Sequence, residues 1–281
     1  MNTQIYPCLW FDGKAREAAE FYCAVFNNSK IISENHLVVN FKSGEQKFMC
    51  LNGGSQFQLN PSISIYVVCD NEKELDTAWN QFLHGGKILM PLGSYAWSKK
   101  YGWVQDQYGQ SWQLALGKIE EVGQKFTPSL LFTGAQCGKA AESIECYTSV
   151  FKNSKIRGIL RFEKEEPEPE GLVKHAQFNL GKHVFMAMDS SLDHGFGFNE
   201  ALSFVVECDT QDEIDYFWNR LSAVPEAEQC GWLKDKFGVS WQIIPTVLEQ
   251  LMNNPLKAPK VVEAFMQMKK FDIEKILQAA G

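Results

Sequence analysis

Ile5 to Phe11 is a short apolar run closed by Asp12-Gly13, a pattern that predicts a strand. Ala15, Ala18, Ala19, Phe21, Tyr22, Val25 and Phe26 then recur at helical spacing, and Asn27-Asn28-Ser29 ends the helix. Short strands are predicted over Lys30 to Ser33, His36 to Phe41 and Lys47 to Leu51, the last two joined by a turn around Ser43-Gly44. The order is β-α-β-β-β. After Asn60-Pro61 it restarts, with a strand over Ile63 to Cys69 and a helix over Glu72 to Leu83 that places Leu75, Trp79 and Phe82 on one face. Gly85-Gly86 stops that helix, and strands follow over Lys87 to Met90, Gly102 to Asp106 and Ser111 to Leu116.

The whole double pattern then returns. Gln4 to Ile31 (QIYPCLWFDGKAREAAEFYCAVFNNSKI) reappears as Lys125 to Ile156, Tyr66 to Asp70 (YVVCD) as Phe204 to Asp209 (FVVECD), and Gly102 to Leu114 (GWVQDQYGQSWQL) as Gly231 to Ile243. This tandem duplication predicts two domains, 1–120 and 121–248, and a helical extension over 249–281 whose Val261, Val262, Phe265 and Met268 form an apolar stripe. Docking of that stripe on the chain's own sheet is the expectation, with a dimer surface as the other use. The fold class is therefore α+β, with four modules in all.

Two segments break the duplication. Glu163 to Gly171 (EKEEPEPEG) is an acidic loop without a counterpart, read as a solvated hairpin tip or a lid. Pro91 to Lys100 (PLGSYAWSKK) shrinks to Pro225 to Gln229 in the second repeat, so two unequal pockets are expected.

Composition narrows the function. The 281 residues allow about two domains of ordinary size, each with its own core. With 27 basic and 34 acidic residues the net charge is −7 and no basic stripe is present, which argues against nucleic acid. No stretch approaches the ~18 apolar residues of a membrane span, and MNTQIYPCLW lacks the form of a signal peptide, so a cytoplasmic protein with no membrane partner is expected. Eight cysteines form no Cys-x-x-Cys pair, and Cys8, Cys50 and Cys69 sit in apolar strand-like runs, so buried reduced thiols are expected.

The run PCLWFDG with the helix ending AEFYCAVFNNSKI, FMCLNGG at Phe48 to Gly54, CGWLKDKFGVSWQIIP at Cys230 to Pro245 and the tail from Asn254 to Ile276 together resemble the vicinal oxygen chelate superfamily. Within it the chain is similar to the PhnB-like group, labelled demethylubiquinone methyltransferase. The resemblance implies curved half-barrel sheets with outer helices, a ligand on the concave face, and pairing of modules either between chains as a homodimer or between the two halves of one chain. It also implies metal-ligand positions, which fall on Pro7 and Pro128, Ser64 and Ser203, Gln113 and Gln242, and Asn52 or Asp189. That is a poor cage for zinc, nickel or iron, which call for several imidazoles or carboxylates, so neither metal nor other cofactor is expected.

Aligning HLVVNF with HAQFNL matches His36 with His175 and Asn40 with Asn179, and strand alternation places all four on the face opposite the apolar positions. Gln113 and Gln242 are expected nearby, while Trp112 and Trp241 point the other way. Trp103 and Trp232 border the pocket or pack, and Trp79 and Trp218 belong to the core. His84, His183 and His194 read as surface residues. Asp106 to Gly109 (DQYG) and Asp235 to Gly238 (DKFG) have the form of β-turns. No glycine-rich turn joins a strand to a helix, which speaks against a nucleotide-like cofactor and against methyl transfer. The expected function is metal-independent binding of a small apolar or aromatic molecule through His36, Asn40, Trp103, Gln113, His175, Asn179, Trp232 and Gln242. The alternatives are a divalent-metal lyase, isomerase or dioxygenase using His36 or His175, and a scaffold with filled concave faces.

Overall fold

The computed structural model describes residues 3–281. The first repeat runs β1 (Ile5–Phe11), α1 (Ala15–Val25), β2 (Ser29–Glu34), β3 (Val38–Ser43), β4 (Gln46–Asn52), then β5 (Ile63–Cys69), α2 (Glu72–Leu83), β6 (Lys87–Tyr95), β7 (Ser98–Gln105) and β8 (Ser111–Leu116). A single helical turn, α3 (Ile119–Val122), leads into the second repeat: β9 (Phe126–Phe132), α4 (Ala140–Val150), β10 (Lys155–Arg161), β11 (Val173–Leu180), β12 (His183–Asp189), then β13 (Leu202–Cys208), α5 (Gln211–Leu221), β14 (Trp232–Lys234) and β15 (Ser240–Pro245). Three helices, α6 (Val247–Met252), α7 (Ala258–Phe265) and α8 (Ile273–Ala280), complete the chain.

The fourth module differs from the expected β-α-β-β-β. Pro225–Ala227 forms a 3-10 turn where β6 stands in the second module, because the shortened segment leaves no residues for a strand. The predicted strand over His36 to Phe41 begins at Val38, since the Asn35 side chain accepts the amides of Leu37 and Val38 and turns the chain there.

The strands assemble across the repeats. One sheet has the order β14-β15-β13-β1-β4-β3-β2 and the other β10-β11-β12-β9-β5-β8-β7-β6. The first and fourth modules share sheet A, joined where β1 runs antiparallel to β13, and the second and third share sheet B through β5 and β9. The two halves thus pair within one chain. Each sequence repeat contributes to both sheets.

Helix-facing positions form one core. Leu9, Phe48, Phe204 and Trp241 on sheet A, with Val67, Trp112, Leu130 and Phe178 on sheet B, pack beneath α1, α2, α4 and α5 with Leu75, Phe82, Ile144 and Phe217. A buried side chain of this size contributes about 1.5–3 kcal/mol by leaving water. Trp79 and Trp218 lie in the core as expected, and Gly102 lets the Trp79 ring lie where a Cβ would be only 2.4 Å from its Cζ3. The carboxy-terminal helices dock on the chain itself, burying Val261, Phe271 and Ile276 completely or nearly so. No helix among the described residues is long and apolar enough to cross a membrane.

Candidate functional site

Alternation along β1 divides its side chains sharply. Ile5, Leu9 and Phe11 join the helix-side core, while Tyr6 and Cys8 form a small cluster with Val205 on the concave face. Pro7 has the parity of the core residues and pairs with Phe204, so it does not occupy a concave position. The concave positions of these first strands are Tyr6 and Cys8 in sheet A and Thr127 and Ser129 in sheet B. Asn52 and Asp189 are not cavity groups either. Asn52 Oδ1 accepts the Ala15 amide at the start of α1, and Asp189 accepts the amides of Gly138, Ala140 and Val173, so both anchor local backbone on the helix side.

Ser64, Ser203, Gln113 and Gln242 do lie on the concave faces, opposite in parity to the core residues Ile65, Phe204, Trp112 and Trp241. Gln113 donates to Ser64 Oγ and accepts from the Tyr101 hydroxyl at 2.9 Å, and Gln242 donates to Ser203 Oγ at 2.9 Å. All are at most 5 % exposed. The fold family implies a divalent metal held by imidazoles and carboxylates, and these neutral amides and hydroxyls do not fit one. Among the described residues no three His, Cys, Asp or Glu side chains converge.

The matched histidine pair does not form. Cross-strand register sets Asn40 against Met49 but Asn179 against Val184, and Gly44 and Gly181 mark equivalent hairpin turns. Asn40 therefore corresponds to Gln177, and Asn179 to Lys42. His36 is exposed in the turn before β3 and borders a groove of about 750 Å³ with Met252, Pro255 and Val262. His175 is half-buried on sheet B in a pocket of about 440 Å³ with Arg157, Leu160, Gln177 and Glu121, and burial holds its pKa below the ordinary value. Neither lies beside the glutamines: β11 and β8 are four strand spacings apart, ~19 Å along the sheet.

The repeat-crossing topology regroups the other candidates. Asn40 shares sheet A with Trp232 and Gln242, while Trp103 and Gln113 share sheet B with His175 and Asn179. Asn179 accepts from Arg157 Nε. Trp232 packs edge-on against Trp10, ring centroids 5.5 Å apart, and Trp10 against Phe57 at 5.1 Å. Gly53 and Gly54 serve this packing: a Cβ on Gly53 would meet the Trp10 ring at 2.2 Å, and Gly54 O accepts Trp10 Nε1. The position of Trp10 is taken by Leu131 in sheet B, and among the described residues Trp103 has no aromatic partner of this kind.

The two concave faces therefore differ. Face A carries a charged group: Lys47 bridges Glu207 at 2.9 Å and Glu249 of α6 at 3.1 Å, and the Tyr6 hydroxyl donates to Glu207. Face B is neutral at the matching places. Along one row run Thr127, Tyr66, Gln113 and Trp103, and Thr127 Oγ1 and Trp103 Nε1 are buried without a hydrogen-bond partner; Ser111 Oγ on the neighbouring row is in the same state. The linker after β8 crosses one end of face B, where Gln177 donates to Val122 O and Gln124 Oε1 accepts the Val184 amide.

Sequence reasoning missed His183. Its Nε2 accepts the Ile5 amide at 3.1 Å between the sheets, and burial, helped by Lys182, pushes its pKa down to about 4. His194 is half-buried as well, its Nε2 2.9 Å from Ser190 Oγ, while His84 is exposed. The acidic loop is tied down, with Glu168 accepting from Ser190 and Ser191 and Glu166 paired with Lys174. All eight cysteines are free thiols, and burial pushes Cys8, Cys69 and Cys208 up to about 12, so they stay protonated.

The Asp106 and Asp235 turns are more than turns. Asp235 Oδ1 accepts the amides of Phe237 and Val239, and Oδ2 accepts Trp241 Nε1 at 2.8 Å and the Tyr147 hydroxyl at 2.7 Å. Asp106 binds Tyr108 N, Gln110 N and Trp112 Nε1 in the same way. These buried clamps fix the start of β8 and β15, one residue before each cavity glutamine.

Comparison with known proteins agrees with this architecture. A family model described as 3-demethylubiquinone-9 3-methyltransferase matches residues 3–115 and again 124–244. A structure from Bacillus cereus titled putative 3-demethylubiquinone-9 3-methyltransferase, PhnB protein, is 41 % identical over 40 % of this chain and 98 % of its own, with a TM-score of 0.38. Glyoxalase I from Zea mays aligns over 90 % of this chain and 97 % of its own with a TM-score of 0.57 at 11 % identity, a likeness of fold. No curated protein matches.

Proposed function

Because the chain belongs to the family described as 3-demethylubiquinone-9 3-methyltransferase, PhnB-like and of the vicinal oxygen chelate fold, here built twice in tandem, we propose that it binds a small, partly aromatic molecule on face B without a resident metal. The observation that carries this reading is the Thr127–Tyr66–Gln113–Trp103 row, where two buried polar atoms lack partners. A buried donor or acceptor left unpaired costs about 1–3 kcal/mol, which a ligand bearing matching polar atoms recovers on binding. Tyr66 and Trp103 offer ring surface to a planar ligand.

Methyl transfer draws no support from the residues. The paired glycines serve the Trp10 contact at Gly53 and the end of α2 at Gly86, where a Cβ would stand 2.2 Å from Phe82 O, so neither pair is left to cradle a nucleotide.

The test is a titration with the neutral fluorescent probe N-phenyl-1-naphthylamine, run beside plasma mass spectrometry of untagged protein. Binding should weaken on the order of tenfold in Trp103→Ala, about the loss of one aromatic contact and its hydrogen bond, and remain unchanged in Trp232→Ala. A near-stoichiometric transition metal that disappears in His175→Ala would refute the metal-free reading and favour a lyase, isomerase or dioxygenase. Binding indifferent to Trp103 would refute the location.

A further inference from the structure

Glu249 lies outside both repeats, on the short helix that follows β15, yet its carboxylate is the most fully liganded group on face A. One oxygen accepts from Ser33 Oγ at 2.8 Å and Asn40 Nδ2 at 3.4 Å, and the other meets Lys47 Nζ at 3.1 Å. Ser33 and Asn40 are cross-strand partners, themselves hydrogen-bonded at 3.0 Å, so β2, β3 and β4 present a preformed set of donors. Partial burial of Glu249 works against its charge, but the Ser33 hydroxyl and Lys47 outweigh that and hold its carboxyl below the ordinary range.

Two observations separate this cradle from a simple helix dock. Asn40 is 5 % exposed, and its Oδ1 is buried with no partner, an acceptor that the Glu249 carboxylate, having no donor, leaves unsatisfied. The fold also does without the cradle: in sheet B the corresponding positions are Gly158, Gln177 and Val184, and Glu207 is replaced by Val68. Lys47, Glu207 and Glu249 border a cleft of about 930 Å³ between the sheets, where Lys42 and Lys182 add positive charge against Glu45, and Lys125 is paired with Glu74. A small anion has room there beside Lys47.

We propose that Ser33, Asn40 and Lys47 form a binding site for a small carboxylate with an adjacent hydroxyl or amino donor, and that Glu249 occupies it in the ligand's absence. The ligand's carboxylate replaces that of Glu249, and its donor completes Asn40 Oδ1. Lys47 already holds two carboxylates, so exchange of one for another leaves its charge balance with Glu207 unchanged. The site is separate from face B and stands whether or not face B binds an aromatic molecule.

Glycolate is the probe, and acetate the same carboxylate without the donor. By calorimetry, Glu249→Ala should bind glycolate on the order of tenfold more tightly than the unaltered protein, since the competing internal ligand is gone. Adding Lys47→Met should abolish binding, and acetate should bind more weakly than glycolate. In the unaltered protein, saturating glycolate should speed amide hydrogen exchange across residues 247–252. Equal affinity with and without Glu249, binding indifferent to Lys47, or acetate matching glycolate overturns the proposal. If Glu249→Ala does not fold, the exchange experiment decides, and unchanged exchange at saturating glycolate overturns it.

Discussion

Replacing Asp235 by Asn tests how much of the fold rests on one buried carboxylate. Asp235 is 3 % exposed, and two of its four donors, the amides of Phe237 and Val239, are fixed by the turn. The asparagine oxygen must stay with those amides, which turns its NH2 toward Trp241 Nε1 and the Tyr147 hydroxyl. Tyr147 can rotate its proton and accept; an indole cannot. One buried N–H is left facing another, at about 1–3 kcal/mol. Trp241→Phe removes that N–H and part of a fully packed ring, at roughly 2 kcal/mol. In the double variant the donor conflict is gone, so its loss should fall short of the sum by about 1–2 kcal/mol. Urea denaturation of the four proteins, with matched slopes, measures this coupling. Additivity within ~0.5 kcal/mol would refute the view that Trp241 donates to Asp235. The Asp106–Trp112 pair, at 2.8 Å, should give coupling of the same sign.

Asp106 also predicts a pH dependence. Burial raises its pKa from 3.8 to about 6 despite hydrogen bonds from Trp112 and Tyr108, so the folded state keeps a proton that the unfolded chain has lost. Stability from this group is present below pH ~4 and falls as pH rises to ~6, by about 3 kcal/mol. Asp106→Asn should show a flatter profile across that window than the unaltered protein, and an unchanged difference between the two would contradict the assignment. Gly231 has φ +82°, and a Cβ there would stand 2.6 Å from the Phe271 ring and 3.0 Å from Ile243 O. Gly231→Ala should cost well over ~1 kcal/mol and expose the carboxy-terminal helices to proteases before global unfolding, whereas Gly13→Ala, at φ +69° in open space, should cost only about 1–2 kcal/mol.

Elements bounded by strong punctuation were legible to the residue: β5 begins just after Asn-Pro, and α2 and β8 end where Gly-Gly and the apolar alternation place them. Register was harder. Sliding HLVVNF two positions along HAQFNL keeps every side chain on its face, so alternation cannot detect the slip. The turn glycines would have, since Gly44 and Gly181 each stand four residues before the Phe of KFM and VFM. Pro7 was misplaced for a related reason. β1 lies inside sheet A and is buried on both faces, so its sequence is a continuous apolar run with no polar parity to read. The crossing of modules between repeats was beyond local pattern altogether, because it depends on β1 meeting β13 and β5 meeting β9 nearly 200 and about 60 residues away along the chain.

That crossing gives the duplication its functional consequence. In two separate domains, each face would be built by one repeat, and drift in a repeat would alter a single pocket. Here the Gln113 and Gln242 ends are completed by strands from the other repeat, so each face combines residues with different histories. Tyr6, Lys47 and Glu207 give face A a charged floor, and Trp10 with Trp232 closes one end of it. Thr127, Val184 and Val68 at the matching places leave that part of face B neutral, with an unpaired indole. The glutamine–serine pair is the part both faces keep, and it sits one residue beyond the buried aspartate–tryptophan clamp in each. Loss of the Asp235 clamp should therefore loosen face A and loss of the Asp106 clamp face B, just as Lys47 and Trp103 variants should each affect only their own. Measuring glycolate and N-phenyl-1-naphthylamine binding on Lys47→Met and Trp103→Ala separates these cases. If either variant weakens both ligands equally, the two faces act as one site and the division into a charged and a neutral pocket fails.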